Sequence, residues 1–311
     1  MRKTPLLFPL AAALALTGCD WQDFGPTTRE REEFQHSFDF KPGGRIAVEN
    51  FNGAVEIHGW DQDKVEITGT KYASSRALLD EMRVDISPSD TFIQIRTVVP
   101  EIMGRRGNRG VKYRIHVPRR TRLDRIETSN GPVRAEQIEG EGRIKTSNGP
   151  VKLVRYAGNV DVKTSNGPVE LDDYTGEAIL GTSNGPITAH GVRGHLEAST
   201  SNGPITASLT APDPTRPVKL SSSNGPVTLT LPSAPLPDVT VTSSNGPVTL
   251  RLPPNANAKL KARTSNSRVT CDFPLNAVTA QGKSEVEGNI GSGGPMLSLR
   301  TSNSSVRIVQ N

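Results

Sequence analysis

The sequence is poor in the residues that build most catalytic and ligand-binding sites. Aromatic residues make up 5% of the chain, with 2 Trp and 4 Tyr, so few rings are available to stack on sugars. The five histidines are scattered and show no metal-ligand spacing: His36, His58, His116, His190 and His195. Acidic residues do not recur in phase, and the glycine-rich stretches lie between predicted strands, unlike phosphate loops. We therefore predict no enzyme activity, no metal site and no cofactor.

Long apolar segments are absent beyond the first residues. Arg2 and Lys3 precede an apolar run over residues 5–16, which is too short for a membrane span of roughly 20 residues but typical of a secretory signal peptide. The LTGC segment that ends at Cys19 resembles a bacterial lipobox, in which the cysteine carries a lipid. We therefore predict a signal peptide over residues 1–18 and lipidation of Cys19, which makes the membrane a partner through the N-terminal lipid.

These signals predict an exported protein that is lipid-anchored in the bacterial cell envelope. The inner and the outer membrane, and periplasmic and surface exposure, remain open from the sequence. Because a lipidated Cys19 leaves only Cys271, the exported chain has no pair of thiols for an intramolecular disulfide or a metal. Export also excludes nucleic acid as a partner.

What the sequence has in abundance is one motif, TSNGP, which recurs from the middle of the chain to its end. Its first five copies are spaced by 18 residues, the next three gaps are 22, 21 and 21, and the last is 37. The asparagines of these motifs are Asn130, Asn148, Asn166, Asn184, Asn202, Asn224, Asn245, Asn266 and Asn303.

Each repeat predicts two short strands. Val151 and Leu153 alternate with polar residues, as do Val160 and Val162, and period-2 alternation is typical of strands with one buried face. The longer repeats place their extra residues at one bend, as stacked coils allow. We predict an all-β, parallel β-solenoid (β-helix) with two short strands per 18–22-residue coil. An antiparallel β-meander is the alternative, because Asn-Gly is also the strongest hairpin signal.

The motif residues have a predicted structural role. Asparagine and glycine accept backbone conformations that most residues avoid, which suits a corner. Strand parity points Thr128, Thr146 and Thr164 inward together with the motif asparagines. Because buried amides need hydrogen bonds, we predict that the nine asparagines form a ladder, each bonded to its copies in the neighbouring coils.

The rest of the chain divides around the repeats. Residues 19–33 are polar and predict a tether. Residues 34–125 alternate like strands and predict an N-terminal β region of the same solenoid, with the one possible helix over 74–82. Residues 126–311 are predicted to form the repeat solenoid with a C-terminal cap, and the tail from Gly293 repeats the strand pattern and is predicted to end the stack.

One cluster of positive charge stands above the background. It could lie against anionic lipid or phosphate groups, where each charge near the surface contributes about 1 kcal/mol. Alternatively, strand alternation divides it between faces and protects a sheet edge. The residues of this possible anionic-surface patch are Arg105, Arg106, Arg109, Arg119, Arg120 and Arg122.

The segments FKPGGRIAVENFNGAVEIHGW and YRIHVPRRTRLDRIETSNGPV, followed by serial TSNGPV units, resemble a bacterial family of unknown function known as the "putative adhesin" family with β-strand repeats. The resemblance extends from Phe34 to Asn311. It implies a β-repeat fold, and it brings no functional residues to carry over. The chain departs from the repeat at Ser267 and Ser304, where glycine is replaced, so we expect these corners to be looser or terminal.

Together these patterns predict a non-enzymatic envelope lipoprotein, an adhesin or scaffold whose repetitive face meets an envelope protein or surface polymer. A signalling or envelope-stress accessory that binds a membrane partner through its N-terminal region is the alternative. Glycan binding is less favoured because aromatic residues are few.

Overall fold

A computed structural model of the chain describes residues 30–100 and 107–311. The signal peptide, Cys19, Arg105 and Arg106 lie outside the described residues. The N-terminal region contains β1 (Glu30–Asp39), β2 (Arg45–Glu49), β3 (Val55–Trp60), β4 (Lys64–Ala73), α1 (Arg76–Asp80), β5 (Arg83–Pro88), β6 (Phe92–Val98) and β7 (Arg109–Pro118).

The repeats form the middle of the fold. Their strands are β8 (Arg122–Thr128), β9 (Val133–Glu136), β10 (Gly142–Thr146), β11 (Val151–Ala157), β12 (Val160–Lys163), β13 (Val169–Thr182), β14 (Ile187–Thr200), β15 (Ile205–Pro212), β16 (Val218–Ser222), β17 (Val227–Thr230), β18 (Val239–Ser243) and β19 (Val248–Leu252).

The C-terminal part adds six strands. They are β20 (Ala258–Thr264), β21 (Val269–Cys271), β22 (Leu275–Gln281), β23 (Glu285–Ile290), β24 (Met296–Thr301) and β25 (Val306–Gln310). Throughout residues 30–100 and 107–311, no helix combines the length and the apolar character that crossing a bilayer requires.

The strands stack as a parallel solenoid, which confirms the predicted fold class and excludes the meander. Val151 lies opposite Val169, and Val169 opposite Ile187, each pair one repeat apart in parallel strands. Each coil contributes one strand to a leading sheet, which runs into the Ser-Asn-Gly corner, and one to a trailing sheet, which leaves it. Strands β13 and β14 continue through the opposite corner and serve both sheets.

The core lies between the two sheets and consists of columns of equivalent residues. Val151, Leu153 and Tyr156 of one coil are buried, as are Val160 and Val162 of the next strand. Because the coils are about 4.8 Å apart, equivalent side chains pack directly on one another. The buried threonines of the TSNGP motifs close one side of this core.

At both ends of the stack, the order of the coils differs from their order in the sequence. The coil of β2 and β3 lies between the coil of β6 and β7 and that of β8 and β9. The C-terminal coil of β24 and β25 likewise lies between that of β18 and β19 and that of β20 and β21. The prediction that the tail ends the stack is therefore wrong. The coil of β20 and β21 follows it, because the chain returns through β22 and β23 before the tail inserts.

Antiparallel strands cover the ends. At the N-terminal end, β4 pairs with β7 and β1 pairs with β4, while β5 pairs with β6. At the C-terminal end, β23 pairs with β20 and β22 with β23. Strand β1 begins at Glu30, inside the segment predicted to be a tether. These short antiparallel additions cover part of the open sheet edges that a parallel stack would leave.

The predicted helix is present but short. It covers Arg76–Asp80, with Ser75 as its N-cap, and the Leu78 backbone N–H donates to the Ser75 hydroxyl. Leu78, Leu79 and Met82 form a small second core with Ala73.

Candidate binding face

The Ser-Asn-Gly corner is held by a buried hydroxyl. The Thr164 hydroxyl accepts a hydrogen bond from the Gly167 backbone N–H at 3.2 Å and donates one to the carbonyl oxygen of Gly149, in the preceding coil, at 3.3 Å. Each such hydroxyl therefore fixes its own corner and connects it to the coil before. The residues that make both bonds are Thr146, Thr164, Thr182, Thr200, Ser222 and Ser243.

The motif glycine is required for a reason other than the one predicted. Neither Asn166 nor Gly167 adopts a positive φ. A Cβ on Gly167 would instead lie 1.9 Å from the carbonyl oxygen of Gly149, so a side chain cannot fit between successive corners. In the last two coils of the stack, serine replaces this glycine at Ser304 and Ser267, so both departures are terminal.

The motif asparagines form an outer ladder, and the prediction that they point inward is wrong. Thr164 is buried, whereas Ser165 and Asn166 are both exposed. The alternation slips at the corner because the backbone N–H groups of Ser165 and Asn166 both donate to the carbonyl oxygen of Ser147. Two consecutive side chains thus face solvent, and Gly167 turns inward again.

Within the ladder, each side-chain amide donates to the preceding one. The Asn148 Nδ2 donates to Asn130 Oδ1 at 2.6 Å, and the Asn166 Nδ2 to Asn148 Oδ1 at 2.7 Å. The ladder begins at Asn52, whose Nδ2 donates to the Arg109 carbonyl oxygen. In stacking order, the asparagines are Asn52, Asn130, Asn148, Asn166, Asn184, Asn202, Asn224, Asn245, Asn303 and Asn266.

The asparagines form the centre of an uncharged ridge, which we define as the serine, asparagine and proline of each corner from Ser129 to Pro247. An asparagine amide has two N–H donors and two acceptor lone pairs, and the ladder uses one of each. The remaining donor and acceptor are held in a fixed orientation. The ridge therefore presents hydrogen-bonding groups and proline rings at a regular spacing of about 4.8 Å.

Beside the ridge, the trailing sheet changes character along its length. Its first coils carry ion pairs, such as Lys152 with Glu170 at 2.8 Å. The row then continues as threonines in parallel register: Thr188, Thr206, Thr228 and Thr249. We call the ridge together with this threonine row the binding face. Its C-terminal half is broad, polar and uncharged.

The opposite corner relies on glycine and on left-handed residues. Gly158, Gly176 and Gly194 have φ of 136°, 131° and 123°. Three residues before Gly158 and Gly176, Arg155 and Asp173 adopt left-handed φ of 49° and 55°. The equivalent residues of the coils on either side, Gln137 and Gly191, have φ of 58° and 65°. The bends of the longer repeats, at residues 212–217 and 232–238, lie at this corner. Length variation is therefore kept away from the ridge.

Of the arginines predicted as an anionic-surface patch, the four that the structure describes do not share one surface. Arg109 begins β7 and pairs with Glu81 at 3.7 Å, whereas Arg119 follows the end of β7, about 30 Å away at 3.3 Å per residue. Arg119 binds both carboxylate oxygens of Asp61, at 2.6 and 3.0 Å, and this hydrogen bonding lowers the pKa of Asp61. Arg120 is exposed.

The remaining member, Arg122, lies on the leading sheet beside Arg45. Both line a shallow groove that also contains Arg143, Asp124 and Asp161. Because the groove carries both signs of charge, it does not select for an anion.

Histidines meet at one place that the sequence did not indicate. The His58 and His116 rings lie 5.7 Å apart on neighbouring strands, and Trp60 stacks on His116 at 5.2 Å. Burial lowers the pKa of both histidines, and the proximity of His116 lowers that of His58 further. Within the described part of the chain, no three His, Cys, Asp or Glu side chains come together in a way that could hold a metal ion.

No family model and no curated protein matches the chain. Crystal structures of three bacterial proteins resemble it. A "putative adhesin" from Bacteroides fragilis is 14% identical, with 89% of this chain and 97% of that chain covered and a TM-score of 0.43. One from Parabacteroides merdae is 10% identical, with 90% and 96% covered and a TM-score of 0.45. A "putative cell adhesion protein" from Clostridium sporogenes is 11% identical, with 90% and 100% covered and a TM-score of 0.25.

Proposed function

We propose that the chain is a non-enzymatic envelope protein, anchored by a lipid on Cys19, that acts as an adhesin or scaffold. The binding face would meet an envelope protein or a surface polymer. The observation that carries this proposal is the uninterrupted ridge, which presents an outward donor and acceptor at each asparagine of consecutive coils.

The ladder favours binding because it orients the amides in advance. Immobilising a flexible side chain on binding costs about 0.5–1.5 kcal/mol. In this chain the amides are already held by their neighbours at 2.6–2.7 Å. The free-energy cost of ordering these side chains is therefore incurred on folding, before a partner binds. Many weak, identical contacts along one rigid line then add together, as in multivalent binding.

The face is tested by placing charge on it without disturbing the ladder. Ser183→Lys combined with Ser201→Lys puts two charges on the ridge, where both serines are exposed. The matched control, Ser199→Lys with Ser221→Lys, puts the same charges on exposed positions of the leading sheet. We expect the ridge variant to lose attachment of cells or beads to the bacterium's surface material, and the control to retain it. Equal retention in both variants would contradict binding through the face.

The anchor is tested separately by metabolic palmitate labelling, comparing the natural chain with Cys19→Ala. A label that depends on Cys19 supports anchoring, and absence of label contradicts it. Protease treatment of intact cells then distinguishes the two forms of the proposal, because a surface adhesin is cleaved whereas a periplasmic scaffold is protected.

A further inference from the structure

The chain contains a repeated site of chemical instability, the Asn-Gly pair. In this pair the glycine backbone nitrogen can attack the asparagine side-chain Cγ. The new N–C bond closes a succinimide as ammonia leaves, and water then opens the ring to aspartate or isoaspartate. The pairs begin at Asn52, Asn130, Asn148, Asn166, Asn184, Asn202, Asn224 and Asn245.

Six of the glycines are held in a way that opposes this reaction. Their backbone N–H groups donate to the buried threonine or serine hydroxyl of the same corner, at 2.9–3.2 Å. The nitrogen has to lose this proton to attack, so the hydrogen bond must first break. The glycines are Gly149, Gly167, Gly185, Gly203, Gly225 and Gly246.

The first two pairs of the ladder lack this bond. At Asn52 the usual threonine is replaced by Asn50, whose Nδ2 donates to the Gly53 carbonyl oxygen at 3.2 Å and whose Oδ1 accepts from the Phe51 N–H and the Thr97 hydroxyl. Gly53 has a φ of 111°. The Gly53 N–H is held by another acceptor, the Asn130 carbonyl oxygen, across the parallel bridge that joins Asn52 and Asn130.

At Asn130 the threonine is present, but its hydroxyl only donates a hydrogen bond and accepts none from the glycine of the same corner. The Thr128 hydroxyl donates to the Gly53 carbonyl oxygen at 3.4 Å. Within residues 30–100 and 107–311, the Gly131 N–H has no hydrogen-bond acceptor. Asn130 is exposed and Asn52 half-buried, so water reaches both sites.

We propose that Asn130 is the modification site of this chain, deamidated through a succinimide, while the six inner Asn-Gly pairs are protected by their hydroxyls and the Asn52 pair by the bridge to Asn130. Asn130 is the second asparagine of the ladder in stacking order. An aspartate inside the ladder could not donate to the preceding Oδ1 and would place a carboxylate about 2.7 Å from it. At Asn130 the bond that is lost is the one to Asn52 Oδ1, so the amide–amide bonds from Asn148 onward remain.

The test is peptide mapping of the purified chain by mass spectrometry after incubation in mildly alkaline buffer, with isoaspartate identified by fragmentation. We expect deamidation at Asn130 to be about tenfold faster than at Asn52 and the six inner pairs, the factor that corresponds to one ordinary hydrogen bond. In urea, where the corners are unfolded, the eight rates should converge. Equal rates in the folded chain would overturn the proposal.

A variant separates the hydroxyl's effect from that of position. Thr146→Val removes the acceptor at Gly149, and Thr146→Ser keeps it, as Ser222 and Ser243 do in the natural chain. We expect Thr146→Val to accelerate deamidation of Asn148 alone, with circular dichroism used to confirm that the variant is folded. A folded Thr146→Val chain with unchanged deamidation at Asn148 would contradict protection by the hydroxyl.

Discussion

Two stacked tyrosines show how much a single buried hydroxyl matters in this core. The Tyr156 and Tyr174 ring centroids lie 6.2 Å apart, and burial raises the pKa of both. The Tyr174 hydroxyl contacts the carbonyl oxygens of Gly158 and Glu177. The Tyr156 hydroxyl is buried with no partner among the described residues, although Gly142 leaves space for it.

We expect the two tyrosine-to-phenylalanine substitutions to have opposite effects. Tyr156→Phe removes an unsatisfied buried group and should raise the free energy of unfolding by about 1 kcal/mol, whereas Tyr174→Phe should lower it by about 1 kcal/mol. Urea denaturation of both variants measures the difference. Each substitution keeps the aromatic ring and removes only the hydroxyl, so the two variants are matched controls for each other. A loss of stability in both variants would show that Tyr156 has a partner.

The His58 and His116 pair predicts a pH dependence. Because burial lowers both pKa values in the folded state, the unfolded chain binds protons more readily. Stability contributed by the neutral pair is therefore complete above about pH 6.5, the unfolded value, and declines as the pH falls below it. His58 also faces Glu56, Glu136 and Arg134, and the two carboxylates reduce the effect.

Thermal unfolding at several pH values between 7.5 and 5 tests this sign. We expect the melting temperature of the natural chain to fall over this range, and that of a His58→Gln, His116→Gln variant to fall less. If the melting temperature of the variant fell more than that of the natural chain, protonation of the histidines would stabilise the folded state rather than destabilise it. Paired carboxylates such as Asp61, whose pKa is lowered, are protonated only at lower pH and do not contribute to this change.

At this scale the sequence indicated which residues matter better than where they point. Strand alternation placed Thr146 and Thr164 correctly in the core. It placed Asn148 and Asn166 wrongly, because the slip at the corner depends on two N–H groups that share one carbonyl oxygen, which no periodicity reveals. The need for Gly167 was visible, but its cause, the carbonyl oxygen of the coil before, lies 18 residues away.

Among the elements, the C-terminal coil has an unusual position. Strands β24 and β25 pair on both sides with coils that precede them in the sequence. The last coil of the stack, β20 and β21, therefore has its parallel pairing with the rest of the solenoid through the tail strands alone. The tail joins the stack after its neighbours on both sides have been synthesised.

We expect that removal of residues 292–311 also unfolds strands that remain in the chain. Without the tail, β20 and β21 lose their parallel partners, so their amides should exchange with deuterium at close to unfolded rates. The coils from β8 to β17 serve as the internal control and should remain protected. Protection that persists in residues 258–271 would show that this coil closes onto β18 and β19 by itself.

The sequence could not have predicted this order. Every coil carries the same strand pattern, so each fits equally well against several neighbours, and chain order is the natural assumption. The deciding features are the lengths of the connections, such as the β22 and β23 excursion, which lets the tail return. The length and phase of the strands, by contrast, follow directly from the 18-residue spacing.

As a whole molecule, the solenoid should tolerate changes in the number of coils. Deleting residues 148–165 joins Ser147 to Asn166 and restores an intact TSNGP motif. We expect this chain to fold with an unchanged circular dichroism spectrum and a melting temperature within about 5 °C of the natural chain, because repeat stability is a sum over neighbours. Deleting residues 157–165, half a coil, should prevent folding. Failure of the 18-residue deletion would mean that the coils are not interchangeable.

The ladder also gives the molecule a direction. Each asparagine amide donates toward the N-terminal end of the stack, and the threonine and serine hydroxyls beneath them donate the same way. Aligned dipoles add, as the peptide units of an α-helix do. The ridge is thus a polar line with a donor end and an acceptor end. Two such lines side by side attract when they run in opposite directions and repel when they run in the same one.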